Sequence, residues 1–281
     1  MHRLGHPAAL KNAVSKRIIV PFPITPPVDT FWTRSVVRWD TWLDASSSSF
    51  SFKPYLIDYR VPEAENLICK ETIENFHCDI SLIKGISNSK AVDYDITDIN
   101  DLSVRRRPDL VEPVTQEHLE TNMDYGGLRL DRMRFAEYPW SERRYYWHND
   151  DGSHHLSAAR YQAGLLQQSV SLTGTLNRYI VNAQMATALR NKWHIFVIPK
   201  EELFGCFNDS MEAFECPFAW SALPENMHDP RTCGVELCIV WLERDNPKAG
   251  SVANVLATSG FPNFGEQLAL LIKKTGDMNV Q

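Results

Sequence analysis

The clearest periodicity in the chain lies at Leu156, Ala159, Ala163 and Leu166, whose spacings of three, four and three residues draw one apolar stripe and predict a helix. Just before it, Asn149-Asp150-Asp151-Gly152 has strong turn chemistry, and the aromatic run Arg144 to Trp147 reads as a strand. From Gly126 onward, Leu128, Leu130, Met133 and Phe135 alternate with charged residues, which predicts an earlier strand. Leu176 to Leu189 carries helical spacing through Ile180, Ala183 and Ala186. Trp193 to Ile198 is a buried-type strand stopped by Pro199, and Val235 to Leu242 is another. Phe264 to Lys274 closes the pattern as a helix, with Lys273 and Lys274 suited to its negative end.

The earlier chain is patterned less regularly. Ala8 to Val20 reads as a short helix running into an extended segment. Pro21, Pro23, Pro26 and Pro27 keep the next stretch extended, as an arm or linker. Ser46 to Ser49 reads as a flexible stretch, followed by a strand or hairpin from Phe50 to Tyr59. Asp93 to Asp101 is rich in aspartate but lacks the central glycine and terminal glutamate of a calcium loop, so it reads as a solvated loop. The expected class is therefore α+β, a mixed sheet with helices. Residues 126–281 form its core and residues 1–125 an extended, β-rich elaboration, within what can be one continuous domain.

Composition narrows the functional classes. Hydrophobic residues make up 43% of the 281 positions and charged residues 23%, which fits a folded globular chain. The formal net charge of −6 opposes bulk coating of nucleic acid, although Arg105-Arg106-Arg107 is a local basic cluster. No apolar run approaches the roughly 20 residues of a spanning helix, so no membrane partner is expected. The six cysteines show no C-x-x-C pair and suggest reduced, mostly buried thiols in a cytoplasmic protein. Cys206 and Cys216, with His194 or His228, form only a minor nucleophile candidate.

Candidate chemistry concentrates between Arg143 and Arg160. The first-turn amides of a helix lack intrahelical partners and carry the positive end of the dipole, so an anion fits there. Gly152 permits a tight turn and close backbone approach, while Ser153 or Asp151 can cap the helix. Arg144, Arg143 or Arg160 can contribute a guanidinium, although Arg160 is five residues beyond His155 and so rotated by roughly 140° and raised about 7.5 Å. His148, Asp150, Asp151, His154 and His155 place five potential metal ligands within eight residues. Trp140, Tyr145, Tyr146 and Trp147 read mainly as core aromatics rather than a base-stacking platform.

The sequence Asp151-Gly152-Ser153-His154-His155-Leu156-Ser157-Ala158-Ala159 resembles the Asp-Gly-x-His-x-x-x-Ala-Ala signature of the ParB/sulfiredoxin-like superfamily. The resemblance implies a site in which the helix start and an arginine grip nucleotide phosphates; here His155 stands at that arginine's position. The leading expectation is a phosphate- or nucleotide-recognising protein, in hydrolysis or phosphotransfer. Gly152, Ser153, Arg144 and Arg160 would bind phosphate, Asp151, His154 and His155 would act as acid, base or ligand, and His148 and Asp150 would hold a divalent metal. The alternatives are a non-catalytic protein-interaction factor on the same fold and a DNA-associated accessory factor.

Overall fold

The computed structural model describes residues 7–43, 51–53, 57–58, 61–87, 89, 95–96, 98–142 and 145–276. Its strands are β1 (Ser51–Lys53), β2 (Ile57–Asp58), β3 (Ile68–Asp79), β4 (Ile83–Ile86), β5 (Met133–Glu137), β6 (Tyr145–Trp147), β7 (Ser171–Val181), β8 (Trp193–Pro199), β9 (Phe218–Ala222) and β10 (Leu237–Glu243). They form two five-stranded sheets, β2-β1-β9-β10-β8 and β3-β7-β5-β6-β4. The class is α+β.

The chain divides into two compact units. One comprises 1–27, 37–69 and 181–281, and the other comprises 28–36 and 70–180. This differs from a boundary near residue 125. Strands from both sides of that position hydrogen-bond in one sheet, β4 beside β6 and β3 beside β7.

In the first unit the sheet pairings are antiparallel. Phe196, Ile198, Cys238, Val240 and Leu242 point to one face, where they pack with Leu10, Phe207, Val252 and Leu256 from helices and turns. On the other face Trp241 stacks on Trp42 at 5.8 Å and meets Trp193 edge-on, while Trp42 also contacts Phe264. Burial on both faces explains why β10 reads as an unbroken apolar run. Of the strand or hairpin expected from Phe50 to Tyr59, β1 and β2 pair antiparallel, whereas Ser46 to Phe50, residues 54–56 and Tyr59 lie outside the described residues.

In the second unit β5 pairs parallel to β7 and antiparallel to β6, which runs parallel to β4. Leu156, Ala159 and Ala163, on the helix Ser153–Leu166, pack into a core with Phe135, Trp147, Leu172 and Leu176. Helices Ile99–Arg106 and Gln116–Met123 flank that helix. The contact with Ile99–Arg106 is tied by hydrogen bonds: Ser157 Oγ donates to the Ile99 carbonyl at 2.5 Å, and the Ser103 amide donates to Ser157 Oγ at 3.1 Å. Trp140, Tyr146 and Trp147 are core residues, 7%, 0% and 2% exposed.

Two predicted elements are replaced. Residues 126–132 form two short 3-10 turns rather than the start of a strand, because Arg129 adopts a left-handed backbone, φ 53°, between them. Ser171–Val181 is a strand, and the helix predicted from Leu176 begins at Ala183, after Asn182 caps it by accepting from the Met185 amide. Among the described residues no helix is long and apolar enough to cross a membrane.

Candidate functional site

The turn before the Ser153–Leu166 helix is built around Gly152, whose φ of 77° suits glycine. Gly152 is itself the N-cap and supplies no side-chain cap, so neither Ser153 nor Asp151 caps the helix as expected. Its missing side chain is used for packing. A Cβ there would lie 2.8 Å from Leu128 Cδ2 and 3.1 Å from the Gly127 carbonyl carbon. The glycine thus makes room for the 126–128 turn.

The two histidines of the first turn occupy different surroundings. His155 stacks on Tyr125, ring centroids 3.9 Å apart and 11° from parallel, and its Nδ1 lies 3.0 Å from Asn122 Oδ1. Asn122 is buried, and its Nδ2 donates to the Leu110 carbonyl at 2.8 Å and to Gln162 Oε1 at 3.0 Å. Gln162 is fixed in turn, because Nε2 donates to the Val111 carbonyl at 2.8 Å. With its NH2 so committed, Asn122 presents Oδ1 as an acceptor. His155 therefore donates from Nδ1, and in the neutral ring Nε2 carries the lone pair. His154 has a buried Nε2 with no hydrogen-bond partner, and its carbonyl accepts from Ser103 Oγ at 2.5 Å.

Burial, then the Arg107 guanidinium, pushes both imidazoles below their ordinary value of 6.5; Asp109 and Asp151 oppose the shift in each. Arg107 is held by Asp109, with Nε and Nη2 at 2.9 and 2.7 Å from its carboxylate oxygens. Tyr125 Oη donates to Asp151 Oδ2 at 3.2 Å. Between the lowered folded values and 6.5 the unfolded chain binds more protons, so stability rises with pH across that window and is lost on acidification. Thermal unfolding from about pH 7 to about pH 5 should show a steeper fall in melting temperature for the natural protein than for His154→Gln or His155→Gln. Equal slopes would remove these imidazoles as the cause.

Other expected site residues lie elsewhere. Arg160 ties the helix down, with Nη1 donating to Asn100 Oδ1 and Nη2 to the Ser81 carbonyl, so it does not reach the turn. Arg143 and Arg144 lie outside the described residues. Asp150 pairs with Arg134 at 3.0 Å on the surface, and the His148 amide donates to the Arg134 carbonyl at 2.8 Å. These residues line a polar groove of about 620 Å³ with Arg129, Arg132 and Glu74, which none of Asp151 to His155 lines. Among the described residues no three His, Cys, Asp or Glu side chains form a metal-binding group, so the five candidate ligands do not converge.

Of the cysteine candidates, Cys216 is disfavoured as a nucleophile. Burial pushes the Cys216 thiol up to about 11 and that of Cys238 to about 12. His228 accepts the Thr25 amide at Nδ1, so its Nε2 donates to the Val235 carbonyl and cannot take a proton from Cys233, 3.4 Å away.

Asn122, Tyr125 and Gln162 were not singled out as site residues by the sequence, and Arg107 stood out only as part of the basic cluster Arg105-Arg106-Arg107. One signal existed: Gln162 is seven residues beyond His155, two turns along, and so lies on the same face of the helix. Residues 73–278 match the model of DUF6685, a family of unknown function, and the chain belongs to that family. No curated protein and no solved structure matches it.

Proposed function

We propose that the protein recognises a phosphorylated small molecule or nucleotide at the start of the Ser153–Leu166 helix and hydrolyses it or transfers its phosphoryl group. The observation that carries this reading is His155, oriented through Nδ1 by the buried Asn122 so that Nε2 is a proton acceptor at a helix N-terminus. A depressed pKa keeps that nitrogen unprotonated near neutral pH. Arg107 adds a cation whose Nη1 is not used by Asp109. The short likeness of Asp151 to Ala159 to the ParB/sulfiredoxin-like signature supports the same ligand class.

In this site His155 takes a proton from the attacking water or hydroxyl, and the uncapped helix start and Arg107 stabilise the phosphoryl oxygens. Calorimetry with a panel of nucleotides and sugar phosphates, followed by phosphate-release assays on those that bind, tests it. His155→Gln should lower turnover by about 10²–10⁴-fold with binding largely retained. Arg107→Gln should weaken binding by about tenfold or more. The turnover of the natural protein should rise with pH through the depressed His155 value and level off near neutrality. Absence of binding by every member of the panel would discard the proposal.

A further inference from the structure

The unit containing residues 181–281 has a second basic concavity, of about 390 Å³, lined by Arg190, Asn191, Trp193, Arg244, Asn263 and Gly265. Arg190 lies in the last turn of the helix Ala183–Lys192. Arg244 follows β10 and is fixed where its Nε donates to the Arg190 carbonyl at 2.8 Å. Asn263 precedes the helix Phe264–Gly276 and is held against edge strand β8, where the Val197 amide donates to the Pro262 carbonyl at 2.9 Å. Trp193, 1% exposed, forms a rigid floor.

The charge arrangement is unusual for a chain with a formal net charge of −6. Among the described residues neither Arg190 nor Arg244 has a carboxylate within ion-pair distance, whereas the adjacent Lys192 has Glu63 at 3.7 Å. Two guanidinium groups are thus brought together beside the positive end of a 13-residue helix. A Cβ at Gly265 would make only ordinary contact with Arg190 Cγ, at 3.8 Å, but would crowd Asn263 Oδ1 at 3.0 Å, the oxygen to which the Gly265 amide donates at 2.9 Å. The convergence also reaches His194, whose charged form is disfavoured by burial and then by Arg244.

We propose that this concavity binds a phosphate group, with the Arg190 and Arg244 guanidiniums and the Asn191 and Asn263 side chains as its donors. Two unneutralised cations match the roughly −1.5 to −2 charge of a phosphate monoester, and guanidinium forks fit its oxygens. A planar carboxylate would use one fork and leave the second arginine uncompensated. The volume accommodates the phosphate and a small organic group. The site is separate from the helix start at Ser153 and does not rest on the function proposed there.

Calorimetry of the full chain with inorganic phosphate and with glycerol phosphate, against sodium chloride at matched ionic strength, provides the test. Binding should be saturable, and Arg190→Gln should weaken it by at least tenfold. Without phosphate the Arg190→Gln melting temperature should be unchanged or higher, because that guanidinium makes no ion pair to lose. Arg244→Gln should weaken binding similarly, but it also removes a hydrogen bond to a helix carbonyl, so Arg190→Gln is the decisive variant. Arg107→Gln and His155→Gln should leave this affinity unchanged, which separates the two sites. Flotation with phosphatidic acid vesicles, lost in Arg190→Gln, would identify the phosphate as a lipid headgroup; binding confined to the soluble monoesters would identify a small metabolite. Phosphate binding no stronger than chloride, or insensitive to Arg190→Gln, would overturn the proposal.

Discussion

Gly152→Ala should destabilise the protein by about 2–4 kcal/mol, the sum of a left-handed backbone cost and an overpacking cost. The first part arises because an L side chain at φ 77° brings Cβ against the following carbonyl. The second arises because the new methyl would meet Leu128 Cδ2 at 2.8 Å and, less yieldingly, the Leu128 amide nitrogen at 3.1 Å. The leucine tip can rotate away, but the backbone of the 126–128 turn cannot move without disturbing its neighbours. Gly234→Ala separates the two costs, because Gly234 has φ 73° and nothing within 4 Å of the place a methyl would take. That control should lose about 1–2 kcal/mol in urea unfolding. Equal losses at the two glycines would remove the packing role of Gly152. The same geometry makes Gly152 variants poor probes of ligand binding, since any lost affinity would be confounded with a displaced turn. Substitutions at Arg107 and His155 report on ligand without that complication.

The difference between these glycines shows which kinds of information were legible in the sequence. Local punctuation was legible: Asn149 to Gly152 marked the turn, and the stripe from Leu156 marked the helix. So were strands buried on both faces, since Ile195 to Ile198 and Leu237 to Leu242 are continuous apolar runs. β7 was harder, because Leu176, Ile180 and Ala183 happen to repeat at helical spacing across a strand end and a helix start. Pairing with its sheet neighbours β3 and β5, which is a tertiary fact, settles Leu176 as a strand residue. The 126–132 segment failed for a related reason: its alternation suits a strand, but a left-handed Arg129 turns the chain instead.

The division into units was hidden because it does not follow chain order. Residues 28–36 join 70–180, while the segments around them belong to the other unit. The candidate site was legible only as far as its helix. His155 and the Gly152 turn came from the local pattern, whereas Asn122 reaches His155 across 33 positions of sequence and Gln162 across 40. Arg160 looked equally available as a phosphate ligand until its partners Asn100 and Ser81, 60 and 79 residues away, were brought beside it by folding. A one-dimensional pattern shows which side chains share a helix face, but not whether their donors are already used.

Asn122→Ala should cost about 2–4 kcal/mol, because truncation removes a buried amide and leaves several polar groups short of partners. Gln162 Oε1 loses its donor, the Leu110 carbonyl retains only Gln162 Nε2 at 3.3 Å, and His155 Nδ1 loses its acceptor. Asn122→Asp tests orientation and charge together. It places a carboxylate at the position that now lies 3.0 Å from His155 Nδ1, which favours the imidazolium and raises the His155 pKa. Burial and Arg107 act in the opposite direction in the natural protein, so the aspartate should offset them at least in part. Histidine titrations followed by NMR should show an upward displacement of the His155 midpoint in the Asp variant. If the proposed catalysis is correct, the acid limb of the turnover profile should move upward with it. An unchanged His155 midpoint would break the link between Asn122 and His155. A displaced midpoint with an unchanged turnover profile would instead preserve that link and exclude His155 as the catalytic base.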